Sequence, residues 1–406
     1  MSEMPATEPL SKNERRLLFS FLLFVLAMPV FSTFTNTFLW RHSHDAVQLG
    51  LYNIGIYAGV PFGFLLSSML LHRWKYKRMF FIGSVLQGMV PLVMTVWAPS
   101  STVAIAALGI LFGIPMGLYW SVRNLVTLRV TEGRHRLSFL SVESAQTTAA
   151  GIVAPFFIGL YLASNVAHIG TAYVSLMSVG LALLTLSGIL VAATDVDPLY
   201  QKISTAFVSN PSALWKRQRW LEFIGGMMTA SESVLSLLMI LTLIGSEGAV
   251  GITKSGVAML AAVAMVVVGR KIPERSYVRV ILLSFALIWG SSALFAVGFD
   301  AVTAVIYFAA FGTIASFRNV VSMSVMFRSV DAEVARTDGN RFLYLFDRES
   351  FLNFGRVVAL TLFILCYSFA QTATIRYGLV LVTLLHAPMA YLLGTMSTRS
   401  NETPSP

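Results

Sequence analysis

The chain has 406 residues, of which 56% are hydrophobic and only 12% charged, with a mean hydropathy of +0.73 and a net charge of +10. A soluble domain carries about 25% charged residues, so too few polar side chains are present to coat a water-soluble globule of this length. No basic stripe interleaved with aromatics accompanies the positive charge, which argues against nucleic acid as a partner. The single cysteine, Cys366, excludes an intrachain disulfide or a cysteine-based metal cluster.

Residues 1–16 are polar and read as a disordered cytoplasmic N-terminus. Twelve apolar segments follow, at 17–40, 47–71, 79–97, 102–128, 137–162, 171–192, 218–244, 251–268, 279–298, 301–327, 342–370 and 374–396. Each is close to the ~20 residues that cross the hydrocarbon core of a bilayer. They are continuously apolar rather than alternating, which predicts transmembrane helices and not barrel strands. The first is too long for a signal-peptide core and lacks a small-residue cleavage site, so it reads as a retained span.

Lysine and arginine set the expected orientation. One side receives Lys12, Arg15 and Arg16, then Arg73, Lys75, Lys77 and Arg78, then Arg129, Arg134 and Arg136. It also receives Lys202, Lys216, Arg217 and Arg219, then Arg270, Lys271, Arg275 and Arg279, then Arg328, Arg336, Arg341 and Arg348. The other side receives Arg41, Lys254 and Arg376, with Lys254 expected to snorkel to the surface. Both termini are therefore expected in the cytoplasm. The outer loops hold no N-x-S/T acceptor, which fits a bacterial inner membrane.

The longest connection, 193–217, contains Pro198 and Pro211 and divides the chain into a six-helix half at 17–192 and another at 218–396, with a cytoplasmic tail at 397–406. A repeat marks the two halves. SVRNLVT at 121–127, in the fourth segment, is echoed by SFRNVVS at 316–322, in the tenth; Glu143-Ser144 and Glu349-Ser350 stand at matching points of the fifth and eleventh. Two six-helix halves related by an axis along the membrane normal are a transporter architecture. Over essentially its whole length the chain resembles the major facilitator superfamily. Its basic turn HRWKYKR at 72–78 stands where that family carries a glycine–aspartate–arginine loop, with Ser68 and His72 in place of the glycine and aspartate. AGIVAPFFIG at 150–159 is similar to the small-residue and proline motif of the family's proton-driven exporters, and favours export over import; the plain alternative is a close-packed, kinked helix.

An ionisable side chain inside a bilayer is a functional candidate by default. In the seventh segment Glu232 lies about 18 Å from Trp220 at 1.5 Å per residue, near mid-membrane. Thr229, Glu232, Ser233 and Ser236 share its face of the helix. Proton coupling, direct contact with a cationic substrate and a structural hydrogen bond are the three readings of Glu232. Arg123 and Arg318 fall near the inner edge with Glu143 and Glu349. They read either as an intracellular gate of Arg–Glu pairs or as an anion clamp, with static pairs or headgroup contacts as the remaining possibility. In the family, helices 1, 4, 7 and 10 line the central cavity. That resemblance adds Ser32, Thr33, Asn36, Tyr119, Trp120, Tyr307 and Thr313 as cavity-lining candidates.

The expected protein is an all-α membrane protein with the fold of that superfamily: a monomeric secondary active transporter of a small solute, with the proton gradient as energy source and no cofactor. No Walker-type loop serves ATP. The RHSHD turn at 41–45 has no further ligand spacing to make it a metal site. A transporter of a lipid-like amphiphile is the alternative within transport. A polytopic membrane enzyme or sensor is the alternative outside it, but no cluster of catalytic residues supports it.

Overall fold

A computed structural model describes residues 10–130, 135–194, 207–267, 277–337 and 340–397. Every regular element among them is helical. The first crossing, α1 (Lys12–Ser43), starts ahead of the expected edge at 17 because Ser11 and Glu14 form a capping box. Its first turns take in part of the stretch read as disordered; residues 1–9 lie outside the described residues. Pro29 returns no N–H to the preceding turn, and the helix widens there into a π turn at Val30–Phe34.

The other helices of the first half are α2 (Ala46–Leu71), α3 (Tyr76–Trp97), α4 (Thr102–Val130), α5 (His135–Ser164) and α6 (Ile169–Ala192). In the second half come α7 (Ala213–Leu243), α8 (Glu247–Val267), α9 (Tyr277–Gly298), α10 (Ala301–Thr337) and α11 (Arg341–Phe369). Ser212 caps α7 through the Trp215 N–H, so this helix absorbs the end of the connection expected at 193–217; residues 195–206 lie outside the described residues. The last crossing, α12, comes in two pieces, Gln371–Thr383 and His386–Ser397. Pro388 cannot donate back to the broken turn at Leu384. Among the described residues, ten helices are long and apolar enough to cross a membrane, and α9 and α10 add shorter apolar stretches at Leu282–Gly298 and Ala301–Ile314. These make up an all-α fold of twelve crossings, which puts both described ends on one face, called here the terminal face.

Helix pairing repeats between the halves: α2 packs on α4 as α8 does on α10, α1 on α5 as α7 on α11, and α3 on α6 as α9 on α12. Small residues permit the closest of these contacts. A Cβ on Gly63 of α2 would sit 2.1 Å from the Ile114 carbonyl oxygen of α4, and one on Gly113 would sit 2.2 Å from that of Ile56. Gly55, Gly59 and Gly63, a double GxxxG ridge along α2, thus form a packing surface against α4. The halves meet through α2 with α11 and α5 with α8. Toward the face opposite the termini, Gly159 packs on Gly251, Gly50 packs on Ile364, and Arg41 of α1 pairs with Glu247 of α8 at 2.6 Å. Toward the terminal face α2 and α11 stay together through Phe64 and Phe342, whose ring centroids are 6.2 Å apart.

Candidate functional site

Helix α7 presents Thr229, Glu232, Ser233 and Ser236 along one face, as the spacing predicts. Thr253, Lys254 and Val257 of α8 and Phe308, Phe311 and Arg318 of α10 complete a cavity of about 280 Å³. Glu232 and Arg318 meet at its wall. Arg318 Nη1 donates to one carboxylate oxygen at 2.7 Å and Nη2 to the other at 2.8 Å. The two residues are 3% and 6% exposed. Helix direction explains the meeting: side chains lean toward the N-terminus of their own helix. α7 runs away from the terminal face and α10 toward it, so Glu232 leans down and Arg318 leans up.

His386 closes the far side of the guanidinium. Its Nε2 lies 3.3 Å from Arg318 Nη1, and its Nδ1 lies 2.9 Å from the Thr383 carbonyl oxygen. Arginine only donates, so Nε2 accepts and Nδ1–H donates, which makes this a neutral imidazole. Its ring stacks on Phe285 of α9. The break in α12 supplies the free Thr383 carbonyl that the ring uses. Lys254, expected to snorkel outward, instead lines the cavity and has no ion-pair or hydrogen-bond partner among the described residues. Neither His386 nor Lys254 belongs to a periodic polar stripe, so only the packing of α12 and α8 brings them to the site.

Arg123, the repeat equivalent of Arg318, is held differently. It donates to Glu143 of α5 within its own half, and its guanidinium lies 4.3 Å from the Phe21 ring centroid and 4.6 Å from that of Trp120. Tyr119 is fully buried with its ring stacked on Phe24. Glu349, expected as a partner of one of the two arginines, meets neither. It pairs with its neighbour Arg348 at 2.5 Å, and Arg348 also pairs with Glu222 at 3.0 Å. The sequence groups Arg348 with the loop cations, and no pattern in it marks Asp347, which is fully buried and accepts from Arg219, from the Trp215 indole N–H and from the Val208 N–H. These bonds fasten the start of α7 and the segment before it to α11.

The remaining expected cavity residues lie outside this cavity. Ser32 and Thr313 donate to their own helices, at Met28 and Ala309. Asn36 donates to the Ser32 carbonyl and accepts from Asn53. Tyr307 is buried with its ring near Phe308 and Phe311, and Thr33 and Trp120 are half-buried on α1 and α4. In the basic turn, Arg73, Lys75 and Arg78 are exposed at the terminal face and Lys77 is half-buried, with Arg78 over the Trp74 ring at 4.5 Å. In the RHSHD turn the Asp45 carboxylate is spent on capping α2 through the Val47 N–H at 2.8 Å. Arg134, Lys202, Arg270, Lys271 and Arg275 lie outside the described residues.

A curated relative is YqgE, an uncharacterized protein of Bacillus subtilis (strain 168), 25% identical over 356 residues that cover 84% of this chain and 80% of YqgE. Among solved structures, a bacterial homologue of the iron transporter ferroportin in an inward-facing state aligns with a TM-score of 0.72 at 14% identity, covering 97% of this chain and all of that one. A D-xylose–proton symporter aligns with a TM-score of 0.70 at 12% identity over 94% and 96% of the two chains, and the nucleoside transporter NupG with 0.67 at 15% identity over 95% and 99%. At such identities these likenesses speak for the fold. The profile of the Major Facilitator Superfamily matches residues 17–337, and with twelve helices in two matching halves the chain belongs to that superfamily.

Proposed function

We propose that the protein is a secondary active transporter that moves a small solute by alternating access, driven by protons exchanged at Glu232. The observation that carries this reading is the buried Glu232–Arg318 pair forming the wall of a cavity between α7, α8 and α10. A proton on Glu232 removes the charge that holds Arg318, and the contact between α7 and α10 weakens. The protonated and ionised forms then favour different arrangements of these helices, which is what a ligand-driven population shift requires. A D-xylose–proton symporter is built on the same fold, so the fold accommodates proton coupling.

With the basic turns in the cytoplasm, the Arg41–Glu247 and Gly159–Gly251 ties lie on the outer side, and the protein works as a monomer in a bacterial inner membrane. The 150–159 stretch favours export by likeness alone; its Pro155 and Gly159 are taken up in close packing on Gly251, a contact that serves either direction. The experiment is a screen in proteoliposomes for solutes accumulated under an imposed pH gradient. Glu232→Gln is expected to abolish uphill accumulation while solute exchange persists. Full accumulation by that variant refutes the proposal.

A further inference from the structure

We propose that the cavity between α7, α8 and α10 is a site for a small organic monocarboxylate, held by Lys254 and competing with Glu232 for Arg318. This rests on the reading of Glu232 as the proton-exchanging group. Lys254 reaches the cavity without an ion-pair partner among the described residues, whereas Arg318 is fully engaged by Glu232. The two cations and one carboxylate leave a single uncompensated positive charge in a low-dielectric setting, where an unpaired charge is costly. A carboxylate ligand gives Lys254 the partner it lacks, and the proton that frees Arg318 keeps the net charge of the site unchanged. The volume of about 280 Å³ lies just below the roughly 300–1,000 Å³ usual for ligand pockets, which limits the ligand to a small molecule. Its apolar wall, Val257, Phe308 and Phe311, suits a short hydrocarbon part beside the carboxylate.

Competition for Arg318 gives the site its coupling. An ionised Glu232 occupies both guanidinium donors that a carboxylate ligand needs. A proton taken from solution onto Glu232 frees them, so proton and anion bind together and leave together. The loaded site, with one proton and one monoanion added, has the same net charge as the empty one. Proton and anion therefore travel in the same direction.

Among the described residues, the charged and titratable groups around Glu232 are Arg318 and Tyr307 of α10, His386 of α12 and Lys254 of α8, while α9 contributes the apolar Phe285 against His386. His386 would also gain charge on acidification, so its contribution must be separated from that of Glu232.

The test reads binding without any gradient. The full chain in lipid nanodiscs is melted in the presence of acetate or pyruvate, with inorganic phosphate as the alternative anion and glycerol as the uncharged control. Acetate and pyruvate are expected to raise the melting temperature, with affinity about tenfold or more tighter at acid than at alkaline pH. Lys254→Met should weaken them about tenfold at either pH, and Lys254→Arg should restore them. Glu232→Gln should bind with the acid-pH affinity at both. The proposal is overturned if the carboxylates do no more than glycerol, if Lys254→Met binds them as the native chain does, or if phosphate alone stabilises. It is also overturned if the pH dependence survives Glu232→Gln and vanishes in His386→Gln. Carboxylate binding that depends on Lys254 without any proton-driven flux sinks the transport reading and keeps the site. Proton-driven flux of neutral solutes without carboxylate binding does the reverse.

Discussion

Arg318 grips Glu232 with two parallel hydrogen bonds of 2.7 and 2.8 Å, across the gap between two antiparallel helices. Removing either partner leaves the other charge buried and unpaired, which costs about 3–5 kcal/mol. Glu232→Ala and Arg318→Ala are each expected to lose about that much stability in detergent. Their double variant should lose clearly less than the sum, because the orphaned charge is gone. Strict additivity in thermal unfolding would mean that the pair is not formed.

Arg123 offers a sharper test of which partners the repeat uses. Its partner is Glu143, and Glu349 is occupied by Arg348. Arg123→Glu places two carboxylates together beneath Phe21 and Trp120, and should reduce folded yield and transport severely. Adding Glu143→Arg should rescue it, whereas adding Glu349→Arg should not. Rescue by the second change alone would place the contact across the halves.

The architecture was largely legible in the sequence, because lipid forces each apolar run of sufficient length into a helix and the SVRNLVT and SFRNVVS phrases mark the repeat. The polar stripe of α7 was legible too, since its period is that of a helix. Pairing was not. Depth counted along single helices puts Arg318 level with Glu143 and Glu349 and leaves its partner open, but side chains have length and lean, and these bring Arg318 up to Glu232 instead. Symmetry misled as well, because the two equivalent arginines take partners on different helices, α5 for Arg123 and α7 for Arg318. His386 and Lys254 carry no local pattern; a break in α12 and the rotation of α8 decide where they point.

Gly225 and Gly226 are neighbours on α7 with opposite surroundings. A Cβ on Gly226 would lie 2.0 Å from the Leu352 carbonyl oxygen of α11, while one on Gly225 would meet nothing within 4 Å. Gly226→Ala must push α7 and α11 apart and is expected to cost about 1–3 kcal/mol, the range for overpacking a tight contact. Gly225→Ala should be neutral or stabilise by up to about 1 kcal/mol through helix propensity. Melting of the two variants side by side checks this, and equal behaviour would mean that α7 and α11 are not in backbone contact.

The proposed alternating access requires the contact between α5 and α8 to open during the cycle. A Cβ on Gly248 of α8 would lie 3.3 Å from the Cβ of Ala163 of α5, near the roughly 3.5–4.5 Å span of a disulfide. In a Cys366→Ser background, which removes the exposed native thiol, Ala163→Cys with Gly248→Cys should cross-link under mild oxidation. Oxidised protein is expected to stop transporting, and reductant to restore flux. Arg41→Ala, which removes the neighbouring tie to Glu247, should lower the cross-linking rate by favouring the separated state. Undiminished flux through fully cross-linked protein would show that this contact stays closed throughout transport.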